Sequence, residues 1–182
     1  MNIPTSLLAM VDASVGGKVG VNLNHLKNLV GSFAKAKAIF IVSELLSSLP
    51  ENQLLAGYAE MLKHGLCLDA NYWQELLKEH PRAISKDRWR HLISKSVELK
   101  ASIVAQDPLE VSVRRLLNFG HTAGHAIETY CLRHSDEDLL HGEAVAWGMM
   151  VEVYLSSLVL EFDMVAVDEI LKTLKELFPS IV

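Results

Sequence analysis

The chain has 182 residues, of which 50% are hydrophobic, and a formal net charge of −5. This length and composition allow one sizeable core, in one domain or slightly more. Because the chain carries no basic arm and no block of lysine and arginine, we expect it to bind no nucleic acid and no anionic membrane surface. No apolar run has the length of a membrane span and no signal peptide is visible, so we expect no membrane partner.

The two cysteines, Cys67 and Cys131, lie far apart within apolar helical pattern. A pair at this separation reads as two reduced core thiols rather than as a disulfide framework. The sequence therefore predicts a cytoplasmic protein.

The first fifty residues predict mixed local structure. Pro4-Thr5-Ser6 is a helix-start signal, which predicts a helix over residues 4–14 that ends before Gly16 and Gly17. Residues 19–22 and 28–30 predict short extended pieces around a polar turn. The apolar, partly β-branched run 38–42 predicts one buried strand. Since a lone strand leaves its edges unpaired, we expect it to pair with the short extended pieces or, preferably, with a sheet outside this chain.

Beyond Pro50 the apolar residues recur at spacings of three and four, which predicts a helical bundle. The breaks fall near Pro81, Pro108 and Ser135, and Pro179 ends the last helix. The predicted helices span 51–67, 70–80, 86–106, 114–131, 141–160 and 163–178. The predicted fold class is mainly α, with a short extended segment near the N-terminus.

Glu60 and Lys63 lie at i, i+3 in the segment Gly57-Tyr58-Ala59-Glu60-Met61-Leu62-Lys63. The simplest interpretation is an ordinary helix ion pair worth a few tenths of a kcal/mol. The alternative is that Glu60 offers a carboxylate to a metal ion beside small and apolar neighbours.

His121 and His125 lie at i, i+4, so they share one helix face. Asn118 precedes His121 by one turn and should point the same way. Gly120 and Gly124 are costly inside a helix unless another helix or a ligand approaches closely. Two core-edge histidines beside packing glycines are the competing interpretation.

His141 begins Leu140-His141-Gly142-Glu143, at a predicted helix start after a polar loop. A helix-capping neighbourhood explains Glu143 well and His141 less well. A site shared by His121 and His141 requires two helices, because their spacing is too long for one face. Together, one Glu and two His on separate helices could hold a divalent metal and leave a coordination position open, which is the arrangement of catalytic zinc sites.

Several cations accompany these motifs. Asp12 precedes the loop Gly16-Gly17-Lys18, where exposed backbone N–H groups and a lysine could approach a phosphate, and Lys27-Asn28 follows. A simple turn with a solvated lysine explains the same residues. Lys100, Arg114 and Arg115 read singly as solvated helix charges. Arg114 lies four residues before Asn118 and can share its face, whereas Arg115 cannot and is expected to be structural.

Taken together, these segments resemble the 3-dehydroquinate synthase family of sugar phosphate cyclases. The resemblance extends over nearly the whole chain and is carried by residues 4–22, 27–31, 57–63, 114–128 and 141–146. Singly most of these motifs are weak, but in this combination and order they are specific. The resemblance implies a two-domain enzyme with an N-terminal nucleotide-binding α/β domain and a C-terminal helical domain that carries zinc. It assigns residues 1–50 to a segment of, or in contact with, the first domain, and residues 51–182 to the second.

The resemblance also implies roles for individual residues. Zn²⁺, with Co²⁺ as the alternative ion, would be bound by Glu60, His121 and His141. The substrate phosphate would be surrounded by Lys18, Asn28 and His125. The substrate hydroxyl groups would face Asp12, Lys63 and Asn118, and the substrate carboxylate would be held by Lys100 and Arg114. The NAD site would be lined by Thr5, Ser6, Asp12, Lys18, Lys27, Leu45, Leu46, Ser47 and Ser48.

The family's reaction converts a seven-carbon keto-acid sugar phosphate (DAHP) to 3-dehydroquinate and phosphate. A hydroxyl is oxidised transiently by NAD⁺, phosphate is eliminated, the ketone is reduced again and the ring recloses by an aldol step. NAD therefore returns to its starting state and acts as a cofactor. Cations around the phosphate and an arginine on the carboxylate fit these steps.

The chain departs from the family pattern at both ends. No glycine-rich dinucleotide segment precedes Pro4, and the family continues beyond the position of Val182 through a segment with a further lysine. We therefore expect a fragment that binds zinc yet needs an NAD-binding domain, in cis or as a separate chain. The resemblance also implies a homodimer. The alternatives are another sugar phosphate cyclase, a metal-dependent polyol dehydrogenase, or an inactive helical module.

Overall fold

The computed structural model describes residues 1–23, 26–134 and 139–179, and their side chains except those of residues 22–29. The fold is mainly α, which confirms the predicted class. The α-helices are α1 Glu51–Leu68, α2 Ala70–Leu76, α3 Lys86–Gln106, α4 His121–His134, α5 His141–Val159 and α6 Met164–Leu177. Short 3₁₀ helices cover Ser43–Ser48, Pro81–Ala83 and Val113–Asn118.

Polar caps set three of the helix starts. Asp69 accepts the backbone N–H groups of Asn71 and Tyr72 before α2, and Asp163 does the same for Val165 before α6. The hydroxyl of Ser85 accepts the backbone N–H of Arg88 at the start of α3. These short polar side chains satisfy first-turn N–H groups that have no partner inside the helix. The bounds predicted for the helices over 51–67, 86–106, 141–160 and 163–178 agree with the observed ones to within one residue, whereas the helix predicted over 70–80 ends at Leu76.

Helix α5 lies at the centre of the bundle and packs against α1, α4 and α6. Two glycines make these contacts very close. A Cβ atom on Gly142 would lie 1.9 Å from the carbonyl oxygen of Ala56 on α1, and one on Gly148 would lie 1.8 Å from that of Gly120. The backbones of α1 and of the start of α4 thus both approach α5 closely within its first eight residues.

The N-terminal segment contains less helix than the predicted range 4–14. The hydroxyl of Ser6 accepts the N–H of Ala9, and the chain then forms a π-helix over Ala9–Ala13. Gly16 and Gly17 have φ values of +111° and +68°, which side chains rarely adopt, so the segment ends there as expected. The π-helix packs against α1 and α3, which places Asp12 over the bundle.

Within this chain, residues 38–42 do not form the predicted buried strand, and their pairing with a sheet outside the chain stays a prediction. Ile39 forms a single parallel bridge with Asn2, and Ile41 packs against the core as a half-buried side chain. An apolar run does not distinguish a strand from an extended segment that lies on a helical body. The extended pieces instead pair with each other as an antiparallel hairpin, β1 Lys18–Leu23 and β2 Leu26–Phe33.

The predicted single helix over 114–131 is also wrong. The 3₁₀ helix Val113–Asn118 ends at Phe119, Gly120 has φ +78°, and α4 begins at His121. Asn118 and His121 therefore do not share one helix face. The helix is interrupted here because residue 120 lies against α5. Only glycine fits both the positive φ of residue 120 and the close approach of this residue to Met149.

The apolar core contains side chains of α1, α2, α3 and α5, among them Tyr58, Leu62, Trp73, Leu92 and Met149. Cys67 and Cys131 are free and only half-buried, so the expected core thiols lie nearer the surface. Burial raises the pKa of Cys67 to about 12, which keeps this thiol protonated. Among the described residues, no helix has both the length and the apolar character needed to cross a membrane.

Candidate metal and substrate site

Three side chains from three helices meet at one end of the bundle. Glu60 comes from the middle of α1, His121 is the first residue of α4, and His141 is the first residue of α5. Oε1 of Glu60 lies 3.7 Å from Nε2 of His121 and 3.8 Å from Nε2 of His141. Their ligand atoms all lie within 4.8 Å of one another. The structure therefore brings together the three side chains proposed as metal ligands.

The spacing of these atoms fits a divalent ion. Ligand atoms on a tetrahedron with zinc bonds of about 2.1 Å are about 3.4 Å apart, so small inward shifts would close the shell. Glu60 is fully buried, whereas His121 and His141 are partly open to solvent. An ion held from the interior by Glu60 would thus keep an open side toward a substrate. Oε1 of Glu60 has no hydrogen-bond donor among the described residues, as expected for a ligand atom.

The other nitrogen of each histidine faces an acceptor. Nδ1 of His121 lies 3.3 Å from the carbonyl oxygen of Phe119, and Nδ1 of His141 lies 3.8 Å from Oε2 of Glu128. A proton on each Nδ1 leaves the lone pair on Nε2, directed at the shared centre. Burial, then the charge of Lys63, lowers the pKa of His121 to about 3. His121 is therefore neutral at physiological pH, as a metal ligand must be.

Glu60 and Lys63 form a completely buried ion pair one helical turn apart. Burial raises the pKa of Glu60, and the charge of Lys63 opposes that rise. Burial also tends to lower the pKa of Lys63, but the negative charges of Glu60 and Asp12 outweigh this effect and raise the pKa overall. The helix ion pair expected at i, i+3 therefore forms, but because it is buried, the few tenths of a kcal/mol typical of exposed helix pairs does not describe its energy.

Asp12 and Lys100 form a second, partly buried contact nearby. Nζ of Lys100 lies 2.7 Å from the backbone oxygen of Asp12 and 2.5 Å from its Oδ1. Burial alone would raise the pKa of Asp12, but Lys100, followed by Lys63, holds it well below its usual range. Asp12 is thus ionised at neutral pH. The interior of the site contains two carboxylates and two ammonium groups close together.

The loop between α3 and α4 brings three further predicted residues to one carboxylate. Glu110, with φ +60°, contacts Nζ of Lys18 and accepts Nδ2 of Asn118 at 2.8 Å. Nε of Arg114 lies 3.6 Å from the same carboxylate. Arg114 is buried and also donates to the carbonyl oxygens of Gly16 and Pro108. The structure therefore brings Lys18, Arg114 and Asn118 together around an anionic group.

The remaining predicted substrate residues are only partly described. His125 lies on the same face of α4 as His121, with ring centroids 5.4 Å apart, and its ring centroid lies 5.8 Å from that of His141. The shared face predicted from the spacing is confirmed. Lys27 and Asn28 belong to β2, and their side chains lie outside the described part of the chain.

Besides Asp12, Lys18 and Lys27, the predicted NAD residues lie on two segments. Thr5 is exposed, Ser6 caps the N-terminal turn, and Leu45, Ser47 and Ser48 are exposed on the 3₁₀ helix Ser43–Ser48. Leu46 is buried in the apolar core, so its side chain is not available to a nucleotide.

Four residues near the site were not singled out from the sequence. Glu128 follows His121 by seven residues, a helical spacing that could have revealed it. His64 follows Glu60 by four, and its buried Nδ1 lies 2.8 Å from the hydroxyl of Ser96. Glu110 precedes Arg114 by four residues, a spacing that could have pointed to this contact, whereas its contact with Lys18 is distant in the sequence. Glu152 has no such signal, because its partners lie at the start of another helix.

Comparison with known families covers nearly the whole chain. Residues 1–56 match the 3-dehydroquinate synthase N-terminal family and residues 57–181 match the 3-dehydroquinate synthase C-terminal family. A curated 3-dehydroquinate synthase of Parabacteroides distasonis is 40% identical over 181 residues, which is 100% of this chain and 51% of the relative. That of Methylacidiphilum infernorum is 46% identical over 161 residues, covering 88% of this chain and 43% of the relative. The chain spans about half the length of these relatives.

Solved structures with a similar fold include two synthases. The 2-epi-5-epi-valiolone synthase ValA of Streptomyces hygroscopicus subsp. jinggangensis, solved with NAD⁺ and Zn²⁺ bound, has a TM-score of 0.84 and 27% identity, covering 99% of this chain and 50% of its own. A 2-deoxy-scyllo-inosose synthase complexed with carbaglucose-6-phosphate, NAD⁺ and Co²⁺ has a TM-score of 0.83 and 28% identity, with 97% and 47% coverage. With the fold, the converging side chains and both family matches in agreement, this chain belongs to the 3-dehydroquinate synthase family.

Proposed function

We propose that this chain is the metal- and substrate-binding part of a 3-dehydroquinate synthase, which converts DAHP to 3-dehydroquinate and phosphate with NAD and a divalent metal. Residues 51–182 would form the metal domain, and residues 1–50 would belong to or contact the NAD-binding domain. The observation that carries this proposal is the convergence of Glu60, His121 and His141, whose ligand atoms lie within 4.8 Å of one another. Zinc is the preferred ion for this set of ligands, with cobalt as the alternative.

Glu60, His121 and His141 would hold the ion. When bound, zinc would act as a Lewis acid toward substrate hydroxyl groups, and NAD⁺ would take up and return a hydride. The buried ammonium group of Lys63, beside Glu60, would supply a fixed positive charge under the substrate. Asp12, which Lys100 and Lys63 keep ionised, would accept a hydrogen bond from a substrate hydroxyl. The amide of Asn118 would face another hydroxyl once released from Glu110.

The cations of the site favour a substrate with two anionic groups. Arg114 and Lys100 would hold the carboxylate, while Lys18, Asn28 and His125 would surround the phosphate and stabilise it as it leaves. In support, Lys18 and Arg114 both contact one carboxylate in this structure, that of Glu110. Because the Glu110 carboxylate lies between these two cations, the same place would favour an anionic group of a substrate.

A second candidate is a sugar phosphate cyclase that acts on a substrate without a carboxylate. The solved structures that share this fold favour it, since they are a valiolone synthase and an inosose synthase. The guanidinium of Arg114, which faces the carboxylate of Glu110, argues for the keto-acid substrate instead, because a sugar phosphate without an acid group has no carboxylate for it to bind. A substitution of Arg114 would separate the two, as it should weaken only the acid substrate.

The proposal extends to the assembly and the compartment. The resemblance implies a cytoplasmic homodimer, and two free cysteines suit a reducing compartment. The NAD-binding domain would be supplied in cis or by a separate chain. Sedimentation of the purified chain, alone and with such a domain, would determine the stoichiometry.

The test combines metal analysis with turnover. Zinc content is measured for the chain and for Glu60→Ala and His141→Ala, with His91→Ala as control, since His91 pairs with Glu75 on the surface. Formation of 3-dehydroquinate is then assayed after adding the nucleotide-binding segment of the Parabacteroides relative. We expect zinc that both site variants lose and that the control retains, with turnover only in the complemented sample. Net NADH production would indicate a polyol dehydrogenase, and metal binding without turnover would indicate a non-catalytic module.

A further inference from the structure

Glu152 lies on α5, the helix that begins with His141, and its carboxylate contacts the start of α4. Oε2 accepts the backbone N–H of Gly120 at 2.8 Å, and Oε1 accepts that of Ala123 at 3.4 Å. The two N–H groups flank His121, the first residue of α4. One carboxylate from a neighbouring helix thus binds the backbone on both sides of a proposed metal ligand.

Helix α4 has no residue of its own to fill this position. The residue before His121 is Gly120, which has no side chain and therefore cannot cap the first turn. First-turn N–H groups need an acceptor, and a negative charge there is favourable toward the helix dipole. Glu152 meets both requirements from a different helix.

The backbone held by Glu152 also determines the direction of the His121 ring. Nδ1 of His121 lies 3.3 Å from the carbonyl oxygen of Phe119, the residue immediately before Gly120. Gly120 is in turn closely packed on α5, since a Cβ atom on Gly148 would lie only 1.8 Å from the carbonyl oxygen of Gly120. The position of Nε2 therefore depends on the segment from Phe119 to Ala123.

From these contacts we infer that Glu152 is a positioning residue: it fixes the start of α4 against α5 and thereby sets the distance between His121 and His141. This role rests on the proposed metal site. Because α5 carries both His141 and Glu152, one helix provides a ligand and holds the other ligand in place. Groups that orient a histidine ligand commonly change metal affinity by 10- to 100-fold.

The experiment compares Glu152→Ala and Glu152→Gln with the unmodified chain. Zinc affinity is measured by competition with a chromophoric chelator, and ligand geometry by the visible absorption of the Co²⁺-loaded chain. We expect zinc affinity to fall about 10-fold or more in Glu152→Ala, with an altered cobalt spectrum. Glu152→Gln keeps an acceptor oxygen but not the charge, so its loss should be smaller.

Asp69→Ala is the matched control, because Asp69 also accepts two backbone N–H groups, those of Asn71 and Tyr72, at the start of α2. It should lower the melting temperature of the metal-free chain as Glu152→Ala does, with unchanged zinc affinity and cobalt spectrum. Equal loss of zinc affinity in both variants, or none in Glu152→Ala, would overturn the inference and leave the proposed function in place. Absence of metal binding by the unmodified chain would refute the metal site and, with it, the role of Glu152.

Discussion

The ammonium group of Lys100 donates hydrogen bonds to two oxygen atoms of Asp12, the backbone oxygen and the carboxylate Oδ1. Lys100 belongs to α3 and Asp12 to the π-helix that precedes the two glycines, so this contact joins the N-terminal segment to the helical bundle. The ammonium group is buried with only 6% of the residue exposed. A single lysine therefore holds the backbone of the loop and the charge of a proposed catalytic residue at the same time.

Replacing Lys100 by methionine should destabilise the metal-free chain by about 3 kcal/mol, because it leaves the Asp12 carboxylate without its nearest cation. Urea denaturation followed by circular dichroism measures this change in unfolding free energy. The control is Lys95→Met, which removes a surface pair with Asp69 of similar length, 3.0 Å, and should cause a much smaller loss. Equal losses in both variants would mean that the Asp12 contact is energetically an ordinary surface pair.

Glu110 should compete with anions for the cations of the site. Glu110→Gln removes the negative charge that Lys18 and Arg114 share. We expect it to bind inorganic phosphate about fivefold more tightly, since a partly exposed charge pair is worth about 1 kcal/mol. Calorimetric titration with phosphate measures the change.

The comparison variant is Glu79→Gln, whose carboxylate faces Arg88 on the surface at 3.6 Å. It should bind phosphate as the unmodified chain does. Weaker phosphate binding by Glu110→Gln would show the reverse role, in which Glu110 organises Lys18 and Arg114 for the substrate.

Spacing within one helix was the reliable part of the sequence analysis. The i, i+4 relation placed His121 and His125 on one face, and the long gap to His141 correctly required a second helix. These predictions depend only on the geometry of the α-helix. The same reasoning would have found Glu128.

Contacts between helices could not be read from the sequence in this way. The separation of His121 from His141 depends on the approach of Gly148 to Gly120, and α4 begins at His121 because of the backbone angle at Gly120. A 3.6-residue period continues through residue 120 and therefore predicted one long helix. Glu152 binds backbone groups that the folded chain brings near, and Glu110 reaches Lys18 in the same way, so no local pattern predicts these two contacts.

His64 should make the chain less stable in acid. Burial, followed by the charge of Lys63, lowers the pKa of His64 from 6.5 to about 3 in the folded chain. Between these pH values the unfolded chain binds a proton that the folded chain does not, so unfolding becomes easier as pH falls. This contribution is complete above pH 6.5 and is lost as pH falls toward 3. In metal-free buffer, we expect His64→Gln to show a shallower fall in unfolding free energy, by up to about 1.4 kcal/mol per pH unit.

Urea denaturation at a series of pH values measures how the unfolding free energy changes with pH in His64→Gln and in the unmodified chain. His80→Gln, which replaces a histidine on the surface before the 3₁₀ helix Pro81–Ala83, is the control for loss of any imidazole. Parallel curves for His64→Gln and the unmodified chain would contradict the prediction, because they would show that His64 takes up its proton equally in both states.

Gly142→Ala should separate the two helices that carry Glu60 and His141. The new Cβ would lie 1.9 Å from the carbonyl oxygen and 2.4 Å from the Cα atom of Ala56. Backbone atoms cannot move aside as a flexible side chain can, so the first turn of α5 must shift away from α1. We expect a loss of about 1–3 kcal/mol in unfolding free energy, and at least about a 10-fold loss of zinc affinity because His141 is the residue next to the clash.

Ser157→Ala, on the exposed side of the same helix, should change neither quantity appreciably. Unchanged zinc affinity in a destabilised Gly142→Ala chain would show that His141 reaches the ion without this helix contact.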